Sequence, residues 1–239
     1  MTLPAAFRAP HTRVSPDLSR REYDVAALNR DGSRFVGSFQ APALSLFESA
    51  FSAFARGVSL NSPHGMIAVE DLVPGDWVNT STGRPAEVVW IGSTSFVPAD
   101  RGHRMPLVRI MADTFGQTRP TSFVTLGAGA RILQTPPSLR GSTGGTDVLT
   151  PVSAFVDTVN VIEVSPPTPI RLFHICLSRH AAVDVGGLMV ETFHPGMAGT
   201  REVSHAQRDL FLSMFPRINH ITDFGPLAHP RAPEETLVA

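Results

Sequence analysis

Between residues 58 and 196 the chain is interrupted every few positions by Gly, Pro, Asn or Asp, and no run between these breaks keeps a helical period for more than about two turns. Punctuation of this kind leaves room only for many short strands joined by tight turns, so the fold class it implies is all-β. Strands are expected at 58–60, 77–79, 87–91, 107–110, 131–133, 159–164 and 170–177, with two more on either side of Gly186-Gly187. Paired glycines supply the two positive φ angles that a type I′ hairpin turn demands. With a two-residue loop, Val185 faces Leu188, Asp184 faces Met189, Ala182 faces Glu191 and His180 faces Phe193. His180 then lies diagonally across from Glu191, within reach of its carboxylate.

The flanks read differently. Residues 1–18 are rich in Pro, Ala and polar side chains without a period, which predicts a mobile tail. Within 19–56, a hairpin of 23–29 and 34–40 closes through Arg30-Asp31-Gly32-Ser33, and Leu44, Phe47, Phe51 and Phe54 then line one face of a short helix that Gly57 ends. The strand-rich domain is expected over 57–196. In 197–239, Ser204 and Gln207 resemble a capping box ahead of Leu210, Phe211, Met214 and Phe215, and Pro216 stops that helix. From Pro226 onward, three prolines predict an extended segment on the surface.

Charge and residue usage remove several classes of chemistry. Twenty basic residues balance 21 acidic ones, which gives no electrostatic footprint for nucleic acid or an anionic membrane. Every basic residue is Arg and none is Lys, so Schiff-base, phosphate-loop and Ser–Lys chemistries are excluded together. Cys176 is the only cysteine, which rules out an internal disulfide and a multi-thiolate zinc site and predicts a small buried hydrophobe. No apolar run approaches the ~18 residues of a membrane span. Charges from Arg8 to Asp24 break up any Sec signal, so a cytoplasmic location or export by another route is expected.

Two segments are more specific than strand counting. The first runs Gly57-Val58-Ser59-Leu60-Asn61-Ser62-Pro63-His64-Gly65, then Ala68-Val69-Glu70-Asp71-Leu72-Val73-Pro74-Gly75-Asp76-Trp77-Val78, and ends in Trp90-Ile91-Gly92. The second runs from His174-Ile175-Cys176-Leu177-Ser178-Arg179-His180 through Gly186-Gly187 to Glu191-Thr192-Phe193-His194-Pro195-Gly196. They resemble the opening and closing blocks of Hint domains, the fold of inteins and of the Hedgehog autoprocessing region, in the bacterial Hedgehog/intein-like branch. The resemblance implies a Hint-type fold of many short strands, with one short helix before it and one after it.

It also implies a chemistry. In that family a Cys or Ser at the start of the domain attacks the preceding carbonyl, and a His activates the amide and protonates its leaving nitrogen. The position that matches the nucleophile here is Ala53, and the one that matches the His, within 126–133, is Ala130. No His-Asn pair closes the last block, so Asn cyclisation has nothing to act with. The resemblance therefore implies a degenerate Hint domain serving as a scaffold or interaction module for an unidentified protein partner, without self-cleavage. The alternative is an autoprocessing domain that uses a serine near residue 52, with Ser59 also at hand, and a remote base such as His174 or His180. A further reading places binding in the terminal extensions.

His174, His180 and Glu191 are the candidate remnants of a catalytic site. No metal or other cofactor is expected: His174, Cys176, Ser178 and His180 share parity, but on a continuous strand roughly 20 Å would separate the two histidines, and a bend or strand end at Ser178-Arg179 would loosen that limit without supplying further ligands.

Overall fold

The computed structural model describes residues 19–98, 105–196 and 203–233. The predicted tail at 1–18 lies outside the described residues.

Arg20–Leu28 (β1) and Arg34–Pro42 (β2) pair antiparallel along their whole length. The turn between them is fixed by Asp31, whose carboxylate accepts from the Ser33 amide at 2.9 Å. Ser45–Phe51 follows as helix α1. The helix ends earlier than expected, and Phe54 is not on its face. Phe54–Ala55 forms a strand (β3), because the Ala53 and Arg56 amides bond to Phe173 O and Arg171 O, both at 2.9 Å, instead of continuing the helix. The sheet offers these amides better partners than a helical turn would.

The remaining strands are Ser59–Ser62 (β4), Gly65–Ala68 (β5), Trp77–Val78 (β6), Ala86–Phe96 (β7), Leu107–Ile110 (β8), Val124–Leu126 (β9), Arg131–Leu133 (β10), Leu149–Pro151 (β11), Val161–Val164 (β12), Ile170–Leu177 (β13), Ala182–Val185 (β14) and Leu188–Glu191 (β15). They form a nine-stranded sheet in the order β12-β8-β9-β3-β13-β7-β1-β2, with β6 also on β7. A four-stranded sheet, β11-β10-β15-β14, and the β4-β5 hairpin complete the fold. The expected all-β architecture is therefore present, with two α-helices at its flanks.

The hairpin predicted at Gly186-Gly187 is formed in the predicted register, with Ala182 opposite Glu191 and Val185 opposite Leu188. Both glycines have positive φ, +58° and +90°. Gly187 has a second reason to lack a side chain: a Cβ there would sit 2.4 Å from Thr118 O.

Strand β7 separates two cores. The larger packs residues such as Phe54, Leu60, Ile91, Leu126, Ile132, Ile175 and Leu188. The second is aromatic, with Tyr23, Phe47, Phe51, Trp90, Phe193, Phe211 and Phe215. Phe47 and Phe51 thus enter a different core from Phe54. Val88 and Ile91, three residues apart, both reach the larger core because the β7–β13 register slips beside Cys176 and Leu177. An extra residue in one strand reverses the alternation of faces beyond it.

Helix α2, His205–Ser213, opens with the predicted capping box: Ser204 Oγ accepts from the Gln207 amide at 3.3 Å and Gln207 Oε1 accepts from the Ser204 amide at 2.9 Å. It is fastened by the Trp90 indole, which donates to Met214 O at 2.7 Å and stacks on Phe215 with ring centroids 4.4 Å apart. Beyond it, residues 226–230 are mostly exposed, but the segment does not simply lie on the surface as expected. Arg231 forms a parallel bridge with Leu149 and Ala232 is buried, because the β11 edge accepts the chain where its prolines keep it extended.

Candidate functional site

The Ser52–Ala53 peptide lies where α1 gives way to β3. Its carbonyl accepts from the Gly129 amide at 2.9 Å, and Ala53 O accepts from the Gly127 amide at the same distance. Only glycine permits so close a crossing: a Cβ on Gly127 would fall 2.3 Å from Ser52 O, and one on Gly129 2.5 Å from Ser49 O. The loop ends at Ala130, whose amide bonds to Gly127 O. The two residues matched by position to the family's nucleophile and histidine are thus drawn together, and both are fully buried methyl groups. Ser52 Oγ donates to Glu48 O, and the Glu48 carboxylate is held by Arg21 at 2.8 Å and by Tyr23. A cleft of about 300 Å³ opens beside this peptide, reaching Ser49, Ser52 and Gly129.

The three predicted polar residues converge as well, helped by the bend expected at Ser178-Arg179. Strand β13 ends at Leu177 and the chain bends at 178–179, so the separation expected of a continuous strand does not apply. His180 Nε2 lies 3.1 Å from Glu191 Oε1, and His174 Nε2 lies 3.3 Å from Glu191 O. The Ala228 amide donates to His180 Nδ1 at 2.9 Å, which puts the ring proton on Nε2, facing the carboxylate. Two residues that sequence reasoning missed complete the group. Arg231 donates to Glu191 Oε1 through Nε at 2.9 Å, its Nη2 lies 2.8 Å from the same oxygen and donates to His194 O at 2.7 Å, and Arg131 Nη1 is 3.8 Å from Oε2. Neither has a local pattern that points to Glu191; Arg231 lies 40 positions away in a proline-rich stretch.

Electrostatics follow from these contacts. Burial alone would push the Glu191 carboxyl up, but the His180 hydrogen bond and the Arg231 and Arg131 charges hold it below the usual value. A fully ionised carboxylate, almost inaccessible, is thereby balanced by two guanidinium groups. His194 is lowered chiefly by burial; its Nε2 donates to Gly225 O at 2.9 Å. Among the described residues no three His, Cys, Asp or Glu side chains are placed to hold a metal ion.

His174 is strongly perturbed as well. Burial lowers its pKa to about 4, against a smaller opposite effect of the Ser49 and Glu191 carbonyls. The neutral ring has one N–H, and the 2.8 Å contact from Nδ1 to Ser49 O takes it. Because the folded pKa lies below the ordinary histidine value of 6.5, the unfolded chain binds the extra proton first as pH falls. Stability should therefore decline between pH 6.5 and about 4, by about 3 kcal/mol from this group, and level off for it below that. Urea unfolding of the wild type and His174→Gln at the two ends of this window checks the point. The variant should lose clearly less stability on acidification; equal losses would show that His174 does not titrate this way.

The fold and the glycine-lined crossing at Ser52–Ala53 define a mostly antiparallel domain that closes around the backbone amide between these two buried residues. Residues 52–197 match the profile described as "Hint domain", more than half of the chain, and the protein belongs to that family. Similar solved structures include the MchDnaB-1 intein (17% identity, TM-score 0.33) and a variant of it (13%, 0.35). Another is a bacterial intein-like domain from Clostridium thermocellum (11%, 0.36). Each covers 59% of this chain and 99–100% of its own length. No curated protein matches. Among the described residues no helix is long and apolar enough to cross a membrane.

Proposed function

We propose that this protein is a degenerate Hint domain that serves as a folded scaffold or interaction module and does not cut its own chain. The observation that carries this reading is the crossing of Ser52–Ala53 by the loop ending at Ala130: the amide is held through its carbonyl by the Gly129 N–H and through its N–H by Phe173 O, but the side chains of Ala53 and Ala130 are methyl groups. A methyl group neither attacks a carbonyl nor moves a proton.

Serine-based cleavage is the less favoured reading. The Ser52 hydroxyl is engaged with Glu48 O rather than with a base, and both nitrogens of His174 and of His180 already face other partners.

The test is intact mass. The full chain incubated with hydroxylamine or a thiol, either small enough to enter the cleft beside Ser52, should keep its 25.7 kDa mass. Fragments broken between Ser52 and Ala53 would overturn the proposal. Ala53→Cys alone should also stay intact, since Ala130 still supplies no imidazole; rapid processing by that single variant would mean that another group does the work of the missing histidine.

A further inference from the structure

We propose that the outer edge of β2 is a self-association surface, through which two copies of this chain pair antiparallel and join their nine-stranded sheets. Among the described residues β2 ends the sheet. The bonds from the Ala43 amide to Ser19 O and from the Asn29 amide to Ser33 O fix which backbone groups turn inward. Odd-numbered residues of β2 bond to β1, so Arg34, Val36, Ser38 and Gln40 direct their N–H groups outward. Sheet edges are ordinarily blunted by lysine, by proline within the strand or by a bulge. Strand β2 has none of these before its terminal Pro42, and it pairs with β1 without a register break over nine residues; at its end the outward Gln40 carbonyl accepts from Arg20 Nη2 at 2.8 Å, which leaves a second lone pair for a partner strand.

What selects a second copy, rather than a foreign strand, is the symmetry of the sequence. Phe35 and Phe39 stand symmetrically about Gly37, and the other mirror positions, Val36 with Ser38 and Arg34 with Gln40, differ in type but bring no like charges together. A two-fold interface needs each position to be compatible with its mirror position on the other copy. With Gly37 on the axis, each Phe35 faces the partner's Phe39 in a pair without backbone hydrogen bonds, the spacing at which side chains approach most closely. Phe35 and Phe39 are half-buried at the margin of the aromatic core, and their rings close over Gly37, where a Cβ would be 2.8 Å from Phe35 and 3.4 Å from Phe39. On the opposite face Val36 is 81% exposed and comes opposite the partner's Ser38.

Charge agrees with this register. Arg34 comes opposite the partner's Gln40, and the next strand places the partner's Glu22 beside that glutamine, about 10 Å away at the backbone. Long side chains of opposite sign can meet across that gap, and no like charges stand opposite one another on β2.

Sedimentation velocity on the full chain tests this. At about 0.1 mM, where even a weak specific contact is populated, the mass should be twice 25.7 kDa and should fall on dilution. The double variant Val36→Lys/Ser38→Lys should be monomeric with an unchanged circular dichroism spectrum, since both positions are exposed and the new charges oppose each other across the axis. A wild-type chain that is monomeric at the top concentration overturns the proposal, as does a dimer that survives the double lysine substitution.

Discussion

Replacing Glu191 with alanine should destabilise the fold by about 3–5 kcal/mol, the usual loss when one member of a buried charge group is removed. The size follows from what would remain. Arg231 and Arg131 would both lose this carboxylate, and the His180 N–H would face a void. Glu191→Gln should be nearly as harmful, because an amide restores a hydrogen-bond acceptor but no negative charge. The damage should also spread along the chain. Arg231 and the Ala228 amide are held by this carboxylate and its histidine, so residues 226–233 should become susceptible to proteolysis in either variant. Urea unfolding measures the first effect and limited digestion the second. A loss of under about 1 kcal/mol would place the group with weak surface pairs, and the account of a buried charge network would be wrong.

Trp90→Ala should cost a comparable amount, about 3–5 kcal/mol. The indole fills the aromatic core against Phe51 and Phe215 and also provides the donor for Met214 O. Trp90→Phe separates these contributions. It keeps most of the packing but strands the Met214 carbonyl, for which about 1–3 kcal/mol is expected. The alanine variant should also free α2, seen as loss of amide protection in residues 205–213 while β13 stays protected. If protection fell equally in both elements, the helix would be a cooperative part of the domain and not a docked one.

The sequence was most informative where structure is set by neighbours in the chain. Gly186-Gly187 determines a turn, the turn determines a register, and the register brings His180 to Glu191. The capping box at Ser204 is likewise local. What stayed hidden was set at a distance. Strands β3, β9 and β11 are two or three residues long and owe their existence to partners elsewhere. Phe54 has the right spacing for the α1 face, yet sheet hydrogen bonds from Phe173 and Arg171 claim that stretch of chain. Arg231 was invisible for the same reason: a guanidinium in a proline-rich segment gives no hint of a carboxylate in another hairpin. The clustering of Ala53 and Ala130 followed only from the family resemblance, since nothing in either alanine suggests that the two meet.

The β1–β2 hairpin gives the Ser52–Ala53 bond an unusual topological position. The chain before that bond is not an appendage: β1 pairs with β7 from Asp24 to Ala27, and Tyr23, Phe47 and Phe51 lie inside the aromatic core. Severing the bond by any means would therefore yield a nicked particle in which both pieces stay interlocked. The same connectivity makes the two pieces natural candidates for reassembly when produced separately, with the complementary strand, and not the peptide bond, holding the halves together.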